Sequence, residues 1–150
     1  MKILVSACLL GRNCKYSGGN NRNEAVISYL KDKEYIPLCP EVEAGMPTPR
    51  PPVEIKQGRV ISIEGKDLDH PYRNGVKKVL EAIQGEDIGL AILKAKSPTC
   101  GVHEIYDGTF SGKKIPGKGI LAEALFSRGI PLCDEHDIEE KVRSKKESAI

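Results

Sequence analysis

Three short apolar runs, each leading into a loop that carries a cysteine, constrain this chain more than any other feature. Lys2 to Ala7 stops at Cys8, and Tyr35 to Leu38 stops at Cys39. Ile88 to Leu93 leads into Ser97-Pro98-Thr99-Cys100-Gly101. Apolar runs of this length read as buried strands. Pro98 disfavours helix for Ser97, and Gly101 permits close backbone approach beside Cys100. Helical patterns separate the runs, and strands alternating with helices imply crossover connections and a mainly parallel sheet. Ligands of open α/β sheets bind outside the carboxyl ends of the strands. If the three strands lie side by side, three cysteines far apart in sequence meet at that edge.

The remaining elements follow from pattern. Lys2 to Cys8 reads as the first, central strand, followed by a long loop through Cys14, Lys15, Tyr16 and Ser17 to Asn20. Asn23 to Lys33 suits a first helix. Five prolines between Pro40 and Pro52 make a stiff loop that is non-helical after Gly45 and holds Glu41, Glu43 and Arg50. Val53 to Lys56 and Arg59 to Ile63 flank Gln57-Gly58, a hairpin signal that reads as an excursion from the main sheet. Asp67 to Gln84 has one apolar helical face, with Pro71 fitting only the first turn. Val102 to Ile115 reads as a loop or short hairpin. Gly119 to Arg128 reads as a helix, Ile130 to Leu132 as a strand ending at Cys133, and Asp137 to Lys146 as a charged closing helix. The fold class expected is α/β: a single three-layer domain over residues 1–150, with a mainly parallel sheet flanked by helices.

Composition narrows the function. A net charge of +2, with basic residues scattered apart from Lys145-Lys146, argues against nucleic acid as a partner. No apolar run is long enough to span a membrane. The N-terminus lacks a signal-peptide pattern, so a cytoplasmic protein is expected. Five cysteines, an odd number with no C-x-x-C pair, suit metal or thiol chemistry better than disulfides. Cys133 reads as a small buried apolar residue. Three cysteines fit a 4Fe-4S cluster that keeps one iron open to a substrate atom. With His103 as a fourth ligand they could instead form a zinc site.

A resemblance enters on several segments together. They are Cys8-Leu9-Leu10-Gly11 through Cys14-Lys15-Tyr16, Cys39-Pro40-Glu41-Val42 through Pro47-Thr48-Pro49-Arg50-Pro51, Ser97-Pro98-Thr99-Cys100-Gly101, and Ile105-Tyr106-Asp107-Gly108-Thr109-Phe110-Ser111-Gly112. In these the chain resembles the DUF523 family of thiouracil desulfidases, over about residues 2 to 134. The resemblance implies non-redox, 4Fe-4S-dependent removal of sulfur from a thiolated uracil or thiouridine nucleotide such as 4-thiouridine monophosphate. It implies Cys8, Cys39 and Cys100 as cluster ligands, Glu43 as the acid/base carboxylate with Glu41 as its alternative, and Ser97 as the active-site hydroxyl. The residue chemistry agrees with it. An open iron is a fitting partner for a soft thiocarbonyl sulfur, and a water attacking the ring carbon needs a base. Asn13, Ser17, Glu41, Arg50 and Lys94 are the candidates for holding the substrate. Tyr106 and Phe110 could stack on a pyrimidine, and Lys96 could meet a phosphate. The alternative reading is a non-catalytic iron-sulfur or zinc binding protein.

Overall fold

A computed structural model describes the backbone of residues 1–148 and the side chains through residue 144, which leaves the side chains of Lys145 and Lys146 outside the described residues. Four strands form one parallel sheet in the order β2-β1-β5-β8: β1 (Lys2–Ser6), β2 (Tyr35–Leu38), β5 (Ile88–Leu93) and β8 (Leu132–Asp134). Two antiparallel hairpins stand apart from it, β3 (Val53–Lys56) with β4 (Arg59–Ser62) and β6 (Glu104–Tyr106) with β7 (Lys114–Pro116). The helices are α1 (Glu24–Leu30), α2 (Pro40–Glu43), α3 (Asp69–Ala82), α4 (Ile120–Ser127) and α5 (Glu135–Ser148).

The two-residue alternation of the central strands sorts the core into two faces. Ile3 and Val5 of β1 and Ile92 of β5 pack with Val26 and Leu30 of α1 and Ile138 of α5. Leu4 of β1 and Ala91 and Leu93 of β5 turn the other way, onto Val76 and Val79 of α3 and Leu121 and Leu125 of α4. The sheet is therefore covered on both sides, the three-layer arrangement expected. Its central strands read as continuous apolar runs because neither face meets water.

Several expectations hold at the level of individual residues. Asn23 caps α1, its side-chain oxygen accepting the Val26 N–H at 3.1 Å. Pro71 lies in the first turn of α3, where its missing N–H costs no helical bond. Gln57 and Gly58, with φ of 51° and 78°, make the tight hairpin turn. The last strand is shifted from the expected 130–132. Pro131 accepts the Ala91 N–H at 2.9 Å but has no N–H to return, so strand pairing begins at Leu132. Cys133 thus lies within β8 instead of beyond it.

The loop from Ser97 to Gly101 is fixed by α4. The Ile120 N–H bonds the Pro98 carbonyl at 3.0 Å and the Leu121 N–H that of Thr99 at 2.8 Å, while the Gly119 N–H reaches Gly101 at 2.8 Å. The unpaired N–H groups of a helix start are thereby used to hold a loop. That grip requires close contact. A Cβ on Gly119 would stand 2.4 Å from the Thr99 carbonyl carbon, and one on Gly101 would stand 2.8 Å from the Ser97 oxygen. The close approach at Gly101 is thus to the chain's own backbone. Gly119→Ala is expected to lower stability by about 1–3 kcal/mol, the usual cost of overpacking. Chemical denaturation checks this, and an unchanged midpoint contradicts it.

Candidate active site

The strand register brings the carboxyl ends of β2, β1 and β5 together. Ser6 lies opposite Leu38 and Val5 opposite Ile92, so the chain leaves all three strands at one level. The Ser6 hydroxyl accepts the Lys94 N–H at 3.0 Å and ties the third exit to the first. A cavity of about 540 Å³ opens at this edge, and Cys8, Cys39 and Cys100 all line it. The convergence expected from three strand ends is present. A fourth thiol, Cys14, lines the same cavity, whereas Cys133 packs into the core on the α1 and α5 side.

The thiols differ in their surroundings. Cys8 accepts a hydrogen bond from Asn21 Nδ2 at 3.4 Å. A hydrogen bond with Cys14 is the main cause that holds Cys8 down at about 7, against the upward push of burial and with help from Asn21. Cys39 is likewise lowered, chiefly by Cys14, while Cys14 itself is driven far upward by its two thiol neighbours. Cys100 is buried, and burial raises it well above the ordinary thiol value.

The polar groups beside the thiols come from two short loops. Glu41, in the single turn of α2, accepts the Thr99 hydroxyl at 2.7 Å on one oxygen. Its other oxygen lies 3.4 Å from the Cys39 sulfur. Ser97 accepts the backbone N–H groups of Thr99 and Cys100 at 3.1 and 3.0 Å. A hydroxyl has two acceptor positions and one proton, so both acceptor positions are filled and the proton is free to point elsewhere. Ser97 therefore serves as a turn hydroxyl and still lines the cavity as a donor. Arg50 Nη2 donates to the Cys14 carbonyl at 2.8 Å and Nη1 to Thr48 Oγ1 at 3.2 Å, while its buried Nε has no partner among the described residues. Tyr72 is pushed up to about 12 by burial and by the Glu41 charge.

The other expected site residues separate clearly. Glu41, Arg50, Lys94, Lys96 and Tyr106 line the cavity, whereas Glu43, Asn13, Ser17 and Phe110 do not. Glu41 and Glu43 are two positions apart on one helical turn, and residues so spaced point in different directions. Of the pair, Glu41 lines the cavity. Asn13 is spent in an exposed hydrogen bond with Asn20 at 2.9 Å. Lys94 is half-buried, its amine held by Glu135 at 2.9 Å and the Ala95 carbonyl at 3.0 Å. Sequence reasoning missed Asn21, Thr99 and Tyr72. Asn21 was hidden in a run of four asparagines and glycines, and Tyr72 lies on a helix whose apolar face reads as ordinary core.

The same geometry tests what the thiols can hold. A tetrahedral zinc with Zn–S bonds near ~2.3 Å needs sulfurs about 3.8 Å apart. Among the described residues, the only three potential ligand groups within 4.8 Å of one another are His103, Asp134 and Asp137. The three cysteines surround a space wider than one ion, and His103 does not line it. The four-ligand zinc site is not assembled. Three cysteines, the cavity volume and the N–H···S donor from Asn21 suit a multi-iron cluster.

His103 has a different place. Asp134 and Asp137 exchange hydrogen bonds at the start of α5, each accepting the other's N–H at 3.0 and 2.9 Å. His103 Nε2 adds a contact to Asp137 Oδ2 at 2.8 Å.

Comparisons with known proteins bear on this geometry. The model of the 2-thiouracil desulfurase family matches residues 3–137. The chain belongs to the 2-thiouracil desulfurase family. A Bacillus subtilis (strain 168) protein, described as the uncharacterized protein YbbK, is 35% identical over 148 residues, covering 92% of this chain and 98% of its own. A solved structure described as the [4Fe-4S]-dependent thiouracil desulfidase TudS (DUF523Vcz) superposes with a TM-score of 0.85 at 33% identity, covering 97% of both chains. The resemblance and fold class expected from sequence are thereby borne out. No helix of the described residues is long and apolar enough to cross a membrane.

The His103 contact carries a pH dependence of known sign. The hydrogen bond with Asp137 raises the His103 pKa. Its contribution to stability is complete below the unfolded value of about 6.5 and fades as pH rises through the higher folded value. His103→Gln is expected to flatten this part of the stability profile. Thermal melts of both proteins between pH 5 and about 9 check it; parallel profiles contradict it.

Proposed function

We propose that this protein is a 4Fe-4S-dependent desulfidase acting on a thiolated uracil or its nucleotide. The observation that carries the reading is the meeting of Cys8, Cys39 and Cys100 in one cavity with Glu41 and Ser97 beside them. Family membership and the likeness to a [4Fe-4S]-dependent desulfidase support it. The three cysteines would hold the cluster. Bound there with one iron free of cysteine, it supplies a soft Lewis acid for the departing sulfur.

The net reaction replaces C=S by C=O, consuming one water and releasing one hydrogen sulfide, with no electrons exchanged. Glu41 accepts the proton of the water that attacks the ring carbon, and its hydrogen bond from Thr99 fixes the carboxylate orientation. Ser97 donates its free proton in a hydrogen bond to the ring nitrogen or the sulfur as charge builds there. Arg50 lines the cavity, where its guanidinium can meet a substrate oxygen. Tyr106 lies on the cavity wall, where its ring can cover the pyrimidine face. Leu38, Pro51, Pro52 and Val53 give the cavity an apolar wall.

Anaerobic protein reconstituted with iron and sulfide is expected to release sulfide from 2-thiouracil, 4-thiouracil or 4-thiouridine monophosphate. Absence of release from all three contradicts the reading. Glu41→Gln is expected to keep the visible absorption of the cluster while turnover falls about 10²–10⁴-fold, the usual worth of a general base. Glu43→Gln is expected to retain turnover. The reverse pattern would assign the base to Glu43.

A further inference from the structure

The reaction above uses three cysteines, yet four thiols share the cavity. Cys14 is buried in its wall, in the cavity that Cys8 and Cys39 also line. The Cys39 sulfur also points to the Cys14 carbonyl at 3.8 Å. That carbonyl is gripped by Arg50 Nη2 at 2.8 Å, and the Cys14 N–H bonds Arg12 at 2.9 Å, so the segment bearing Cys14 is pinned against the thiols. Cys39 is the half-exposed member of the group, while Cys8, Cys14 and Cys100 are buried. An oxidant entering the cavity meets Cys39 first, with the buried residue Cys14 beside it.

We propose that Cys14 is a resolving thiol for the proposed cluster ligands: in cluster-free protein it forms a disulfide with Cys39 once a peroxide has oxidised Cys39. The chemistry balances in two steps. Hydrogen peroxide converts the Cys39 thiol to a sulfenic acid and yields one water. The Cys14 sulfur then attacks the Cys39 sulfur, the S–O bond breaks, the S–S bond forms and a second water leaves. A sulfenic acid with no thiol at hand proceeds to sulfinic acid, which ordinary thiols do not reduce, whereas a disulfide is reversible. Cys14 thus keeps Cys39 recoverable for cluster assembly. The inference relies on the proposed function only for naming Cys39 as a ligand; the thiol chemistry is independent of turnover.

The test uses the full chain, freed of metal by a chelator and treated with one equivalent of hydrogen peroxide. Remaining thiols are alkylated, and the protein is examined by intact mass and peptide mapping. Before alkylation the oxidised chain is expected to be about 2 Da lighter, two hydrogens lost. Mapping is expected to show a Cys14–Cys39 cross-link with Cys8, Cys100 and Cys133 alkylated. Dithiothreitol is expected to restore full iron loading on reconstitution. In Cys14→Ser, treated beside the wild type with the two equivalents of peroxide that a sulfinic acid consumes, the expected product is a sulfinic acid on Cys39, about 32 Da heavier, and iron loading that dithiothreitol does not restore. A disulfide between any other pair, alkylated Cys14 in oxidised wild type, or equal recovery of wild type and Cys14→Ser would overturn the proposal. Sulfide release from unoxidised, cluster-loaded wild type is assayed in parallel. A cross-link without turnover refutes the desulfidase reading alone, and turnover without a cross-link refutes this inference alone.

Discussion

The parallel alignment of β1 between β2 and β5 is the constraint on which the site depends. Strands that run the same way and end at one level deliver their outgoing loops to one place, however far apart those loops lie in sequence. Cys8 and Cys39 follow their strands almost at once, and both need no more than this register. Cys100 lies seven positions beyond Leu93 and needs a second device, the clasp of α4 on the carbonyls of Pro98 and Thr99. The sheet supplies direction, and the helix start supplies position.

The chemistry of the rim is built in the same economical way. Ser97 folds its own loop by accepting two N–H groups, and doing so leaves one proton to offer. Glu41 links two of the cysteine loops through Thr99 and so braces Cys39 against the Cys100 loop. Arg50 crosses from the proline-rich segment to the Cys14 carbonyl and lines the cavity. Ser97, Glu41 and Arg50 each take part in holding the site.

How much of this was legible in the sequence follows from the kind of information each feature needs. The strands, the hairpin at Gln57-Gly58 and the meeting of three cysteines could be read because periodicity, turn chemistry and parallel topology are local or general rules. Which of Glu41 and Glu43 lines the cavity could not, since it depends on how one turn of helix sits against α3 and the sheet. Asn13 and Ser17 looked like ligand contacts because they are polar loop residues, but the loop turns them outward and presents Asn21 instead. Pro131 moved the last strand by two residues through one missing donor. His103 lies three positions after Cys100, which suggested a metal ligand, yet the hairpin that follows carries it to the start of α5.

The central claim is that Cys8, Cys39 and Cys100, and no other cysteines, hold a cluster. Iron and acid-labile sulfide measured on anaerobically reconstituted protein test it most directly, across the five single Cys→Ser variants. The account predicts that the Cys8, Cys39 and Cys100 variants lose most of both elements while the Cys14 and Cys133 variants load like the wild type. Full loading in any of the first three, or loss in Cys133→Ser, would contradict it.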